Sequence, residues 1–123
     1  MITPTHIEDI RAIVDTQRGY FRSHATLPLS FRRDMLKRLK ASILRFEKEL
    51  CDALYLDLHK SYEEAYMTEI SIVLGEIDNF LENLGRWAAP SKKKTPLKLF
   101  PSRSMIITEP LGVALIMSPW NYP

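Results

Sequence analysis

The sequence predicts an α/β protein in which a helical part precedes an extended part and a buried strand. Prolines are absent from residues 29–89, and six of the eight prolines lie at residue 90 or later. Because an interior proline costs a helix about 3 kcal/mol, long helices are expected only before residue 90. Residues 112–117 are apolar at every position. This pattern is typical of a strand that is covered on both faces inside a parallel sheet.

Three helices are predicted before residue 90. Thr5 and Glu8 have the spacing of a capping box and open the first helix, and Pro28 opens the second. A second capping box, Ser61 to Glu64, opens the third. The three helical stripes are Ile7, Ile10, Val14, Gln17 and Phe21; then Leu36, Leu39, Ile43, Phe46, Leu50 and Leu54; then Tyr66, Ile70, Val73, Ile77, Leu81 and Leu84.

The charges of these helices differ in sign. Basic side chains dominate residues 16–48, and acidic side chains dominate residues 62–89. Antiparallel packing of the second and third helices would therefore bring opposite charges together. The alternative is two separately solvated faces, since exposed ion pairs contribute only about 0–1 kcal/mol each.

After the helices, the pattern becomes extended. Residues 90–102 read as a polar, proline-punctuated loop, and residues 103–109 read as a strand that Pro110 ends. The apolar strand at 112–117 has no later strand or crossover helix to cover it before Pro123. Because an isolated strand leaves its backbone unpaired and its apolar faces wet, we expect this chain to be part of a larger domain.

The composition excludes several function classes. With 17 basic and 15 acidic residues, the net charge of +2 is too small to indicate nucleic-acid binding. A single cysteine rules out an internal disulfide and suits a reducing compartment. The longest apolar run, residues 111–117, is far shorter than the roughly 18 residues of a membrane span. With no apolar leader segment at the N-terminus either, the predicted location is the cytoplasm.

Few residues suggest chemistry by spacing alone. The three histidines form no metal-binding pair, and Cys51 lies about 12 Å from His59 if both are on one helix. We interpret Cys51 as a packed helical residue rather than a nucleophile. The lysine run at 92–94 is interpreted as a solvated loop, with phosphate binding as the alternative.

The C-terminal motif Pro-Trp-Asn-Tyr-Pro, residues 119–123, directly follows the predicted buried strand. In open α/β sheets, ligands bind at the carboxyl ends of strands, so a stiff loop there is suited to presenting a polar group. The alternative is a proline-rich turn whose aromatic residues cover a core. The residues by themselves leave both interpretations open.

The segment EPLGVALIMSPWNYP resembles the entry into the cofactor-binding domain of aldehyde dehydrogenases, especially their class 3-like branch. The resemblance continues upstream through ALYLDLHKSYEEAYMTEISIVLGEIDNFLENLGRWAAPSKKKTPLKLFPS and covers roughly residues 30–123. It implies an aldehyde dehydrogenase-like α/β parent fold. This chain would supply three N-terminal helices, an extended strand of the oligomerisation region, and the first strand of the cofactor-binding domain.

The resemblance also implies roles for individual residues in the oxidation of an aldehyde by NAD or NADP. Asn121 would donate its side-chain amide to the oxyanion that forms when a cysteine attacks the aldehyde. Tyr122 would line the aldehyde channel, and so, more weakly, would Ile72. The stretch expected beside the dinucleotide is Met117, Ser118, Pro119 and Trp120.

The implied domains are a helical segment at 1–100, an oligomerisation strand at 101–110, and the start of a Rossmann-like cofactor-binding domain at 111–123. The family's catalytic cysteine, glutamate and glycine-containing turn would all lie beyond Pro123, and Cys51 matches none of them. The expectation is therefore an inactive chain taken alone, within a homodimeric parent enzyme.

Two alternative functions belong to other classes. The chain would act as an autonomous helical protein-interaction module if it descends from this family but has lost the enzymatic activity. Nucleic-acid binding through the basic residues 16–48 is disfavoured, because this segment has no interleaved exposed aromatics and the net charge is small.

Overall fold

A helical part is followed by a small antiparallel sheet and a segment without regular secondary structure. The computed structural model describes residues 6–119, 121 and 122. The elements are α1 (Ile7–Arg22), α2 (Leu29–Arg45), α3 (Glu47–Leu58), α4 (Tyr62–Ala65), a π-helical turn (Tyr66–Ile70), α5 (Ser71–Ala88), β1 (Ser91–Lys93), a 3₁₀ turn (Leu97–Leu99) and β2 (Ser104–Ile106). The predicted order, helices before extended structure, is confirmed.

The second predicted helix is two helices, α2 and α3. Phe46 leaves the helical conformation, with φ −104° and ψ 19°, and separates them. The helix α2 packs on α5, whereas α3 packs on α4. Because the two halves pack on different helices, the single helix that the sequence predicts bends at Phe46. The prediction of a single helix was wrong here, since Phe46 preserves the apolar spacing across the bend.

The third predicted helix begins as expected but contains an irregular turn. The Ser61 hydroxyl accepts the backbone N–H of Glu64 at 3.2 Å, which confirms the cap. The π-helical turn Tyr66–Ile70 then widens the helix before α5 continues it. At the first helix, His6 is the cap residue and its side chain makes no cap hydrogen bond; Thr5, the predicted capping residue, lies outside the described residues.

The helices α2 and α5 run antiparallel. Lys40 Nζ lies 2.6 Å from a carboxylate oxygen of Asp78, and the Arg33 guanidinium lies beside Gly85. Higher numbers on one helix thus meet lower numbers on the other. The Lys40–Asp78 ion pair confirms that the oppositely charged helices pack together.

The core lies where α3, α4, the π-helical turn and α5 meet. Its buried members are Cys51, Ala65, Ile70 and Leu74, with Ile43 and Leu54 packed against them. By contrast, no residue of α1 is buried, and its apolar stripe is about half exposed. Across the described residues, no helix is both long and apolar enough to span a membrane.

The extended part differs from the prediction in three respects. Residues 90–102 are not only a loop, because Ser91–Lys93 form β1, which places Lys92 and Lys93 in a strand. This strand pairs antiparallel with β2, Lys92 opposite Met105. The second difference is that the strand predicted at 103–109 is shortened to Ser104–Ile106.

The third difference concerns residues 112–117, which do not form the predicted strand. A strand is stabilised by hydrogen bonds to a neighbouring strand, and none lies beside this segment among the described residues. The segment lies beside α1 instead, where Gly112 lies against the Phe21 ring. Apolar composition alone therefore does not create the strand.

Candidate functional site

The described residues at the end of the Pro-Trp-Asn-Tyr-Pro motif lie against a buried lysine. This lysine is in the connection between α3 and α4. His59 ends α3 in the left-handed conformation, with φ 55°, and Ser61 caps α4. Lys60 lies between them and is only 8% exposed. The left-handed residue His59 thus ends α3 directly before this buried lysine.

The partner of Lys60 is Glu69, which lies in the π-helical turn. The Lys60 ammonium donates to Glu69 Oε1, and both side chains are largely shielded from water. Such π-helical turns occur mostly as single insertions in helices, frequently at functional sites. This turn thus holds a carboxylate facing the only buried charged side chain found among the described residues.

Two further contacts join Lys60 to the C-terminal motif. Its Nζ lies 3.5 Å from the main-chain carbonyl oxygen of Asn121, a long hydrogen bond. The same ammonium lies 4.2 Å from the centre of the Tyr122 ring, within the range of a cation–π interaction. The structure therefore brings Asn121 and Tyr122 together with the Lys60–Glu69 ion pair.

The remaining predicted site residues are spread around this cluster. Met117, Ser118 and Pro119 are exposed and lie outside helices and strands. Ile72 is 58% exposed on α5, three residues after Glu69. Trp120 lies outside the described residues.

Lys60 and Glu69 were missed by sequence reasoning. A lysine beside a helix stop and a glutamate on a helix are ordinarily solvated, so composition gave no reason to select them. The available signal was the position of Lys60 between the end of one helix and the cap of the next.

Cys51 is a buried core residue, as predicted. Burial raises the pKa of its thiol, and the carboxylates of Glu47 and Asp52 raise it further. Since the thiolate is the reactive form, Cys51 is suited to packing rather than to nucleophilic attack. The described residues contain no cluster of three or more His, Cys, Asp or Glu that could hold a metal ion.

One further polar contact joins the starts of α3 and α4. The Tyr62 hydroxyl donates a hydrogen bond to the Glu47 carboxylate. This bond, followed by desolvation and by the charge of Glu47, raises the pKa of Tyr62 from 10.0 to about 12. The phenol is therefore a structural donor near neutral pH.

Comparison with known proteins identifies the ancestry of this arrangement. The sequence profile of the Aldehyde dehydrogenase family matches residues 2–123. This chain belongs to the aldehyde dehydrogenase family. The resemblance to the class 3-like branch is confirmed, because relatives named as family 3 members match most of the chain; one from Macaca fascicularis is 40% identical over 110 residues, covering 89% of the chain and 23% of the relative.

Two further relatives of this aldehyde dehydrogenase segment match at 42% identity. One is the 4,4'-diaponeurosporen-aldehyde dehydrogenase of Staphylococcus aureus, with 86% of the chain and 23% of the relative covered. The other is the dimeric NADP-preferring aldehyde dehydrogenase of Canis lupus familiaris, with 93% and 25% covered. The chain thus spans about a quarter of the length of its relatives.

A solved structure confirms the aldehyde dehydrogenase-like fold. The substrate-bound state of Staphylococcus aureus AldH superposes with a TM-score of 0.78 at 36% identity, covering 86% of this chain and 23% of that one. The helices and two-stranded sheet described above therefore correspond to part of an aldehyde dehydrogenase.

Proposed function

We propose that this chain is the N-terminal part of an NAD(P)-dependent enzyme that oxidises an aldehyde to a carboxylic acid. The observation that carries the proposal is the position of Asn121 in the Pro-Trp-Asn-Tyr-Pro motif. Its main-chain oxygen accepts a hydrogen bond from Lys60, which connects the motif to the helical part. The Asn121 side chain is uncharged, which suits a donor to a negatively charged oxygen. Family membership supplies the reaction class.

In the proposed reaction, a cysteine outside this chain attacks the aldehyde carbon and forms a thiohemiacetal. Negative charge develops on the former carbonyl oxygen, and the Asn121 amide donates a hydrogen bond to it. Loss of hydride from that carbon, for which NAD or NADP would be the acceptor, would give a thioester, and water activated by a glutamate would hydrolyse the thioester to the acid and release the cysteine. Since nothing in residues 1–123 supplies that cysteine or glutamate, the chain alone is inactive in this proposal.

The exposed segment at 117–119 is proposed to lie along one edge of a dinucleotide cofactor. Residues 110–122 carry no charged side chain, and Ser118 and its neighbours Met117 and Pro119 are exposed. Such a surface suits the uncharged ribose of NAD or NADP. Met117, Ser118, Pro119 and Trp120 would hold that edge. When bound, the cofactor supplies a nicotinamide ring that accepts hydride.

The aldehyde would approach between the motif and the third predicted helix. The Tyr122 side chain is 55% exposed beside Lys60, and Ile72 is similarly exposed on α5. An aromatic and an aliphatic side chain on the two sides of a channel would favour an aldehyde with an apolar body. Both residues are proposed as channel residues on this basis.

The remaining expectations follow the parent enzyme. The segment 1–100 would be its N-terminal helical segment, 101–110 would contribute to the subunit interface, and 111–123 would begin the Rossmann-like domain. The two-stranded sheet supports a homodimer, because its outer edges are unpaired within the described residues and could extend into a second subunit. A cytoplasmic location, with no nucleic acid or membrane as partner, completes the proposal.

The test is the formation of NADH or NADPH by the complete protein that contains this segment, with the 123-residue chain as control. The complete protein is expected to reduce cofactor in the presence of an aldehyde, and the chain alone is not. The reading frame after the Pro123 codon provides an independent check. A stop codon there, together with a compact monomeric chain, would favour the helical protein-interaction module instead.

A further inference from the structure

Lys60 is unusual because a charged side chain is buried in a connection between two helices. Removing an ammonium and a carboxylate from water costs several kcal/mol for each ion, and their attraction often fails to exceed that cost. A buried ion pair is therefore weak evidence of stabilisation. A buried ion pair is better evidence that the neighbouring groups must be held in one defined arrangement, and the experiment below tests this.

Lys60 also contacts the Pro-Trp-Asn-Tyr-Pro motif. An ammonium has three donor hydrogens, and Glu69 fixes its position from one side. On another side it contacts the main-chain carbonyl of Asn121 and the face of the Tyr122 ring. These contacts act on two consecutive residues, so they restrain both the position and the direction of the chain there.

We propose that Lys60, held by Glu69, is a positioning residue that fixes Asn121 for its role as oxyanion donor. This inference rests on the proposed function. Lys60 contacts the backbone of Asn121 and leaves its amide available for the oxyanion. A donor contributes most when it is oriented before charge develops, and a displacement of about 1 Å can cost roughly 10²-fold in rate.

The experiment is a mutant cycle in the complete enzyme, read as the single-turnover rate of NADH or NADPH formation. Lys60→Met and Glu69→Gln are combined, so that neither charge remains buried without its partner. This double variant is expected to lower the acylation rate by roughly 10- to 100-fold, the range for a mispositioned group. Cofactor affinity is expected to stay unchanged, because the double variant removes no cofactor contact.

The second arm places the same double variant in an Asn121→Ala background. If Lys60 acts through Asn121, the combination should be at most about twofold slower than Asn121→Ala alone, within the error of additivity. A purely structural role would instead slow both backgrounds by the same factor. Equal slowing in the two backgrounds therefore overturns the inference.

The matched control is a second ion pair that joins two elements, Lys40–Asp78, which links α2 to α5. Lys40→Met with Asp78→Asn should leave the burst rate within about twofold of wild type, as expected for a partly exposed pair. Should the buried-pair variant fail to fold, Lys60→Arg is used. It keeps a positive charge opposite Glu69 but changes the positions of the donor hydrogens, and it should slow acylation in the same direction by a smaller factor.

The outcomes separate the two proposals. If Asn121→Ala is itself without effect, the proposed catalytic role of Asn121 is wrong and the inference is wrong with it. If Asn121→Ala slows acylation but the Lys60 and Glu69 variants do not, only the inference is overturned. Slowing by both, with no further loss in combination, supports it.

Discussion

At the scale of single residues, substitutions of Asn121 can separate the effect of its side-chain charge from the effect of its shape. Asn121→Ala in the complete enzyme should lower the acylation rate by roughly 10²–10³-fold, the range for one oxyanion donor. The amide would meet charge that is absent in the bound substrate, so the rate should fall far more than cofactor affinity. The measurement is the single-turnover burst, because steady-state turnover hides acylation when product release is slow.

The Asn121→Asp variant provides the comparison. It preserves size, but its carboxylate would repel the oxyanion, so its burst should be slower than that of the alanine variant. An alanine variant within about threefold of wild type would assign Asn121 to the turn alone, since one lost donor should cost at least about 10²-fold.

The Tyr62–Glu47 hydrogen bond predicts a pH dependence at the α3–α4 junction. The neutral phenol is the form that donates, so the bond raises the pKa of Tyr62 from 10.0 to about 12. Its stabilising effect is therefore complete below pH 10 and is lost as the pH rises through about 12. Ultraviolet titration of phenolate should show one tyrosine ionising late.

The assignment of that late ionisation is made by substitution. Glu47→Ala should return it towards the ordinary range, because the acceptor and its charge are removed together. Tyr62→Phe should eliminate it. Persistence of a late-ionising tyrosine in Tyr62→Phe would show that the effect belongs to another residue.

At the scale of elements, two glycines within α5 provide a matched pair. A Cβ at Gly75 meets no atom within 4 Å, whereas one at Gly85 lies 2.9 Å from the Arg33 guanidinium. Alanine is favoured over glycine in a helix interior by up to about 1 kcal/mol. Gly75→Ala should therefore stabilise α5 by most of this amount, and Gly85→Ala by less, because Arg33 must move.

Native-state amide hydrogen exchange of α5 in the complete protein measures this difference. Exchange in Gly75→Ala should slow by roughly fivefold, corresponding to about 1 kcal/mol. Greater protection in Gly85→Ala than in Gly75→Ala would contradict the predicted order.

At the scale of the whole molecule, the segment after Pro110 is the main liability of the isolated chain. Leu111, Leu115, Ile116 and Met117 are each more than four-fifths exposed. An exposed apolar segment with unpaired backbone favours association between copies. A chain ending at Pro110 preserves the β1–β2 sheet and removes these side chains, so it should scatter less light at equal concentration.

The comparison is with the 123-residue chain at the same concentration and temperature. Gel filtration should show aggregates for the longer chain and a monomer for the shorter one. A compact monomer with a sharp thermal transition for all 123 residues would show that the apolar segment is already covered.

The sequence by itself determined the local features of this protein. Proline placement separated helical from extended structure, and the Ser61 cap depends on residues only three positions apart. The charge contrast between helices anticipated Lys40–Asp78 because each sign is concentrated on one helix. The motif at 119–123 indicated the family through its order of residues alone.

Only the tertiary structure decided the features that depend on distant partners. The bend at Phe46 follows from packing α2 and α3 on different elements. The apolar spacing along a single predicted helix contains no information about these packing partners. The absence of a strand at 112–117 depends on which strands are nearby. Lys60, Glu69 and Asn121 meet because a left-handed residue, a π-helical turn and a terminal loop converge in space. Their sequence separation leaves no local pattern, since burial of a charge is decided only when the surrounding elements pack.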